Sequence, residues 1–79
     1  MEHKVSIYTT PSCQYCKMAK AFFQEHNIQY SEYNVATDAE KRNEMIERSG
    51  QMGVPVIDVD GNLVVGFNQE TLSKLLGVS

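Results

Sequence analysis

Val5-Ser6-Ile7-Tyr8-Thr9-Thr10-Pro11-Ser12-Cys13-Gln14-Tyr15-Cys16 sets the course of this chain. The first half alternates: Val5 and Ile7 fall on one face of a strand over residues 4–9 and Tyr8 on the other, because successive strand side chains point to opposite sides. Pro11-Ser12 breaks the alternation. Over residues 14–26 the period becomes helical, with Tyr15, Ala19, Phe22, Phe23 and His26 on one side and Lys17, Lys20, Gln24 and Glu25 mostly elsewhere. Two cysteines three positions apart therefore sit where a strand hands over to a helix.

The rest of the chain extends that frame. Asn27 can end the first helix, and residues 29–35 read as a more polar strand whose Ser31, Glu32 and Asn34 suit a sheet edge. Thr37-Asp38-Ala39-Glu40 reads as a capping box, Thr37 accepting from a backbone N–H three residues on and Glu40 reaching back. The helix it opens runs to about Ser49, stops at Gly50 and has a thin apolar face (Ala39, Met45, Ile46), which places it at the surface. Glu44 and Arg48 have the spacing of an i,i+4 surface pair.

Residues 54–59 form a third strand beginning at a proline, Asp60-Gly61 is a hairpin turn, and residues 62–65 pair back. Asn68 can cap a last helix carrying Leu72, Leu75 and Leu76, with Gly77 as its stop. The order β-α-β-α-β-β-α predicts an α/β fold. Two parallel strands joined by a helical crossover, then an antiparallel hairpin, give one four-stranded mixed sheet flanked by helices on both faces. At 79 residues the chain holds a single domain over residues 1–79.

Composition excludes several functions. Apolar residues make up 42% and the net charge is −3, with no Lys/Arg run, which speaks against a nucleic-acid or anionic-membrane surface. No apolar stretch approaches the ~20 residues that span a bilayer. The start Met1-Glu2-His3-Lys4 lacks a signal-peptide pattern, so the expected compartment is the cytoplasm, where disulfides are catalytic or transient. A bridge between Cys13 and Cys16 closes so small a loop that it would brace the fold little. The pair is better explained by reactivity.

A helix N-terminus carries about half a positive charge and several unpaired N–H groups. A thiolate there is stabilised, so Cys13 is expected to have a lowered pKa; such sites run from roughly 3.5 to 7.5, against about 8.5 for a free cysteine. Cys16, one turn later, reaches the same sulfur from a deeper position. The expected chemistry is attack of Cys13 on a disulfide, displacement of the reduced product by Cys16, and a Cys13–Cys16 bridge that a reductant reopens. A closed zinc site needs four ligands, and with no third cysteine and with His3 and His26 lacking pair spacing, no metal is expected. Pro55 is either a simple strand start or a cis-proline facing the CxxC loop, leaving the backbone of Val54 for an extended substrate; the residues alone leave both open.

Taken in order, Ile7-Tyr8-Thr9, Cys13-Gln14-Tyr15-Cys16, Gly53-Val54-Pro55 and Val65-Gly66-Phe67 resemble the glutaredoxin family of the thioredoxin fold, over essentially the whole chain. The likeness is greatest to short bacterial glutaredoxin-like redoxins, including the type that supplies electrons to ribonucleotide reductase. The resemblance implies Cys13 as nucleophile, Cys16 as resolving thiol, Tyr15 at the rim, Val54 as backbone partner of substrate and Pro55 as cis-proline. Gly66, Phe67 and Asn68 match the segment that holds glutathione in this family.

Two departures bear on the substrate. Many glutathione-using members carry a lysine where this chain has Thr10, and the family's glycine pair followed by acidic residues is reduced here to Gly66, with no carboxylate before Glu70. The resemblance thus implies no bound cofactor, a protein disulfide as substrate (a ribonucleotide reductase among them), a thioredoxin-reductase-type enzyme as reductant, glutathione as the alternative co-substrate, and action as a monomer. A copper carrier also places CxxC at a strand-to-helix junction, but in a β-α-β-β-α-β order. A cluster shared between two chains is more typical of single-cysteine relatives. Lys17 and Lys20 flank the active helix and read first as a solvated helix face, with added positive potential near Cys13 or an anionic partner as the alternative.

Overall fold

Strand β1 (Val5–Thr9) is the strand on which the rest is laid. The computed structural model describes residues 3–78 and gives, after β1, α1 (Gln14–Glu25), β2 (Ser31–Asn34), α2 (Ala39–Ser49), β3 (Val56–Val59), β4 (Asn62–Val65) and α3 (Gln69–Leu76). The sheet order is β2-β1-β3-β4, with β1 parallel to β2 and antiparallel to β3, and β3 antiparallel to β4. The polar strand is thus an edge strand, as its side chains require.

Alternation along β1 and β3 divides the core. Val5, Ile7, Ile57 and Val59 face Ala19, Phe22 and Phe23 of α1 and Leu72 and Leu76 of α3. Tyr8 and Val56 face the other way, against Val35 and against Met45 of α2. Helices therefore cover both faces of a four-stranded mixed sheet, the thioredoxin-like architecture expected. Asp60 (φ 54°) and Gly61 (φ 92°) supply the two left-handed residues of the β3–β4 hairpin turn. No described helix is long and apolar enough to cross a membrane.

Four local expectations need correction. The cap of α2 is Asp38, not Thr37: the Asp38 carboxylate accepts from Lys41 N–H at 3.0 Å. Thr37 is drawn into the preceding turn instead, where its N–H and hydroxyl donate to the Asn34 carbonyl. Tyr15 does not belong to the buried stripe of α1, which is Cys16, Ala19, Phe22 and Phe23. Arg48 pairs with Asp58 of β3 at 2.8 Å rather than along its own helix, while Glu44 accepts from Lys41 and from Tyr8. The third strand begins at Val56, so Val54 and Pro55 precede the ladder; a proline has no N–H to give it.

Candidate functional site

The Thr10–Cys13 turn leaves the C-terminal end of β1 and delivers Cys13 to the N-cap of α1. The Cys13 N–H closes the turn on the Thr10 carbonyl at 3.3 Å, and Lys17 N–H then donates to the Cys13 carbonyl as the first helical bond. An N-cap residue is extended while its side chain takes one of the orphan N–H groups of the first turn. Here φ is −82° and ψ 113°, and the acceptor is sulfur: Cys13 Sγ takes the Cys16 N–H at 3.1 Å. The contact complements negative charge on that sulfur with a backbone dipole at the positive end of the helix.

Both cysteines are free thiols, yet their surroundings differ. Cys13 is part-exposed, whereas Cys16 opens the buried face of α1 and is only 1% exposed. Burial, with help from the hydrogen bond to Cys13, pushes the Cys16 thiol up to about 12; a Thr10 backbone hydrogen bond and the charge of Lys20 pull the other way. The site thus holds one reachable sulfur backed by an N–H, with a buried, protonated thiol one helical turn behind it.

Register brings the other predicted residues to the same end of the sheet. Tyr8 lies opposite Val56, so Val54 and Pro55 project past the end of β1 where the Cys13 turn begins. The Val54–Pro55 peptide bond is cis, and Pro55 also stands directly before the start of β3 at Val56. The N–H and carbonyl of Val54 have no hydrogen-bond partner among the described residues. Gly66, whose φ of 83° suits glycine, donates its N–H to the Pro55 carbonyl at 2.7 Å. Phe67 turns inward, its ring 6.1 Å from that of Phe22, and Asn68 caps α3 by accepting from Thr71 N–H at 3.1 Å. Thr10 takes part through its backbone.

Around this end lie exposed apolar side chains: Tyr15 (61%), Met52 (70%) and Val65 (55%). Several cations are already committed elsewhere. Lys20 is paired with Glu32 at 2.9 Å, Lys41 with Glu44 at 3.3 Å, Arg48 with Asp58 at 2.8 Å and Lys74 with Glu70 at 3.4 Å. Sequence reasoning missed the ion pair of Lys20, which joins α1 to Glu32 of β2 across 12 residues, a separation that carries no local signal.

Comparison with known proteins agrees with this geometry. Residues 5–64 match the family model for glutaredoxin. A glutaredoxin-like 8.6 kDa protein in the rubredoxin operon of Clostridium pasteurianum is 46% identical over 72 residues, spanning 91% of this chain and 96% of its own length. The glutaredoxin-like protein NrdH of Lactococcus lactis is 34% identical over 74 residues, covering 90% of this chain and 97% of that one. Among solved structures, the thioredoxin-like protein BC3987 superposes with a TM-score of 0.87 at 36% identity, over 92% of this chain and all of that one.

Proposed function

The chain belongs to the glutaredoxin family of thiol–disulfide oxidoreductases, and from that premise we propose that it reduces protein disulfides in the cytoplasm, with Cys13 attacking and Cys16 resolving. The observation that carries the reading is the asymmetry of the two thiols: a part-exposed sulfur on the Cys16 N–H, and a buried one a helical turn behind it.

In the first step Cys13 Sγ, as thiolate, bonds to one sulfur of the substrate disulfide. The other substrate sulfur leaves with the electron pair and takes a proton. In the second step Cys16 loses its proton to solvent and attacks Cys13 Sγ. The bond from Cys13 to the substrate breaks, and that sulfur leaves as the second thiol. Two electrons have passed to the substrate, and the Cys13–Cys16 disulfide awaits an external reductant. Holding both thiols on the first turn of one helix makes the second step intramolecular, which removes the entropy cost of an encounter. Val54 would pair with an extended substrate backbone through its unused N–H and carbonyl, in the manner of strand addition. Pro55 and Gly66 would shape that edge, and Phe67 and Asn68 would fix it to the core and to α3.

Exposed Tyr15, Met52 and Val65 favour a protein surface over a small anionic thiol. Glutathione carries two carboxylates; Lys20, Lys41, Arg48 and Lys74 are already in ion pairs and Thr10 stands where a lysine is common, which leaves Lys17 as the cation next to the cysteine pair with no ion pair among the described residues. A thioredoxin-reductase-type flavoenzyme is then the fitting reductant, and a ribonucleotide reductase disulfide is one substrate of the right kind. In a coupled assay with an insulin-like protein disulfide, thioredoxin reductase should support turnover. If only glutathione with glutathione reductase does so, the preference is wrong. Cys16→Ser should accumulate a mixed disulfide at Cys13; trapping that requires loss of Cys13 instead would overturn the assignment of roles.

A further inference from the structure

The backbone on either side of Val54 is already committed. Pro55 has no N–H, and its carbonyl accepts from Gly66 N–H at 2.7 Å. Gly53 is held by a side chain two residues earlier. Gln51 Oε1 accepts the Gly53 N–H, and Gln51 Nε2 donates to the Gly53 carbonyl at 3.0 Å. A carboxamide carries an acceptor oxygen and two donor hydrogens, so it can meet both backbone groups of one residue as a neighbouring strand would. Gln51 is in turn tied to the end of α2. Its N–H donates to Ser49 Oγ at 3.4 Å, and that hydroxyl donates to the Met45 carbonyl at 2.6 Å.

Residue 53 is fitted to this arrangement by close approach. Gly53 does not take a positive φ, so its backbone conformation does not call for glycine. A Cβ there would stand 2.7 Å from Gln51 Oε1, inside contact distance. The missing side chain is what lets the amide close on the backbone. The N–H and carbonyl of Met52, like those of Val54, have no hydrogen-bond partner among the described residues. An added strand bonds to alternate residues of the edge it joins, and Met52 and Val54 are alternate residues.

We propose that Gln51 selects for substrates with a peptide backbone: its side-chain amide takes both polar groups of Gly53 and holds the segment before Pro55 ready, with Met52 and Val54 open to the extended chain that carries the disulfide. The inference rests on the reading that Val54 pairs with substrate backbone. Without the amide, Gly53 would turn its N–H and carbonyl to water, and the stretch between Gly50 and Pro55 would lose its internal tie. The cost of ordering it would then fall on the binding step. A disulfide with no peptide backbone draws nothing from that edge. Gln51 is a positioning residue, since it acts through Gly53 and touches no reacting atom.

The test uses the full reduced chain in single-turnover stopped flow with a pair of thionitrobenzoate disulfides, one made with the cysteine of a short unstructured peptide and the other with 2-mercaptoethanol. In each, Cys13 Sγ bonds to the peptide or mercaptoethanol sulfur, the substrate disulfide breaks, and thionitrobenzoate leaves with the electron pair. The ratio of the peptide rate constant to the mercaptoethanol rate constant reads the contribution of the backbone. In Gln51→Ala that ratio should fall about three- to tenfold, the size of about one hydrogen bond. Gly53→Ala, which displaces the amide while leaving Gln51 in place, should lower the ratio to a similar extent. The double variant should lie within about twofold of either single one, because both changes remove the same interaction. An unchanged ratio in Gln51→Ala, an equal slowing with both disulfides, or a double variant that falls by the product of the two single losses overturns the proposal. If the wild-type chain reacts no faster with the peptide than with the mercaptoethanol disulfide, the pairing at Val54 fails first and this inference falls with it.

Discussion

On the face of the sheet covered by α1 and α3, Val5, Ile7, Phe22, Phe23, Ile57, Val59 and Leu72 share one buried cluster. On the face covered by α2, only Tyr8, Val35, Met45 and Val56 are buried together, and hydrogen bonds supply the rest. There the Tyr8 hydroxyl donates to Glu44 at 2.7 Å and accepts from Arg48 at 3.3 Å, and Arg48 reaches Asp58 at 2.8 Å. The first face draws its cohesion from area removed from water, which pH does not alter. The second depends on charges that acid removes. Because α2 leads into Met52–Pro55 and packs beside Val54, the conditional face is the one beneath the proposed substrate edge.

The largest effect expected from this contrast is on the apolar face. Phe23→Ala should cost about 3–5 kcal/mol in chemical denaturation, enough to unfold much of a chain this small. Met45→Ala, the corresponding truncation under α2, should fall toward the low end of about 2–5 kcal/mol, because fewer neighbours are left around the hole. Equal losses on the two faces would show that the polar chain contributes more packing than its geometry suggests. Tyr8→Phe should cost about 1 kcal/mol, since Glu44 and Arg48 are open enough to find water when the hydroxyl is gone.

The smallest effect is a slope in pH. Glu44 is held below its ordinary value of 4.5 first by the Tyr8 hydroxyl and then by Lys41, and Glu32 is held below it by Lys20 and Thr9. For a carboxylate whose folded pKa is depressed, the stabilisation is present above the unfolded value and is lost as pH falls through the folded one. Denaturant midpoints should therefore drop below about pH 4.5, and Tyr8→Phe should show a shallower drop, having already lost the leading cause at Glu44. An acid slope unchanged by Tyr8→Phe would remove the hydroxyl from this account.

Much of this was readable from the sequence because it depends on local chemistry. Strand alternation gave β1, Gly50 and Gly77 gave the helix stops with φ of 74° and 70°, and Asp60-Gly61 gave the hairpin. The pair Cys13 and Cys16 was placed by its strand-to-helix junction, and family likeness pointed to the cis Val54–Pro55 bond. What escaped depends on which side chains meet in space. Asp38 displaced Thr37 as a cap because Asn34 captured Thr37 in a turn. Tyr15 was put on the buried stripe because its aromatic ring outweighed Cys16 in the pattern, though Cys16 has the i, i+3 spacing to Ala19. The Tyr8–Glu44 bond joins residues 36 apart and the Thr9–Glu32 bond residues 23 apart, and neither separation carries a local signal.

The central claim is that two neighbouring thiols are made unequal by one helix terminus and one buried face. Limited alkylation of the fully reduced chain with iodoacetamide at pH 7.5, read by peptide mapping, tests it most directly. The label should appear on Cys13 while Cys16, buried and pushed up to about 12, stays unmodified until the chain is unfolded. Label arriving first on Cys16, or on both sulfurs at the same rate, would contradict it.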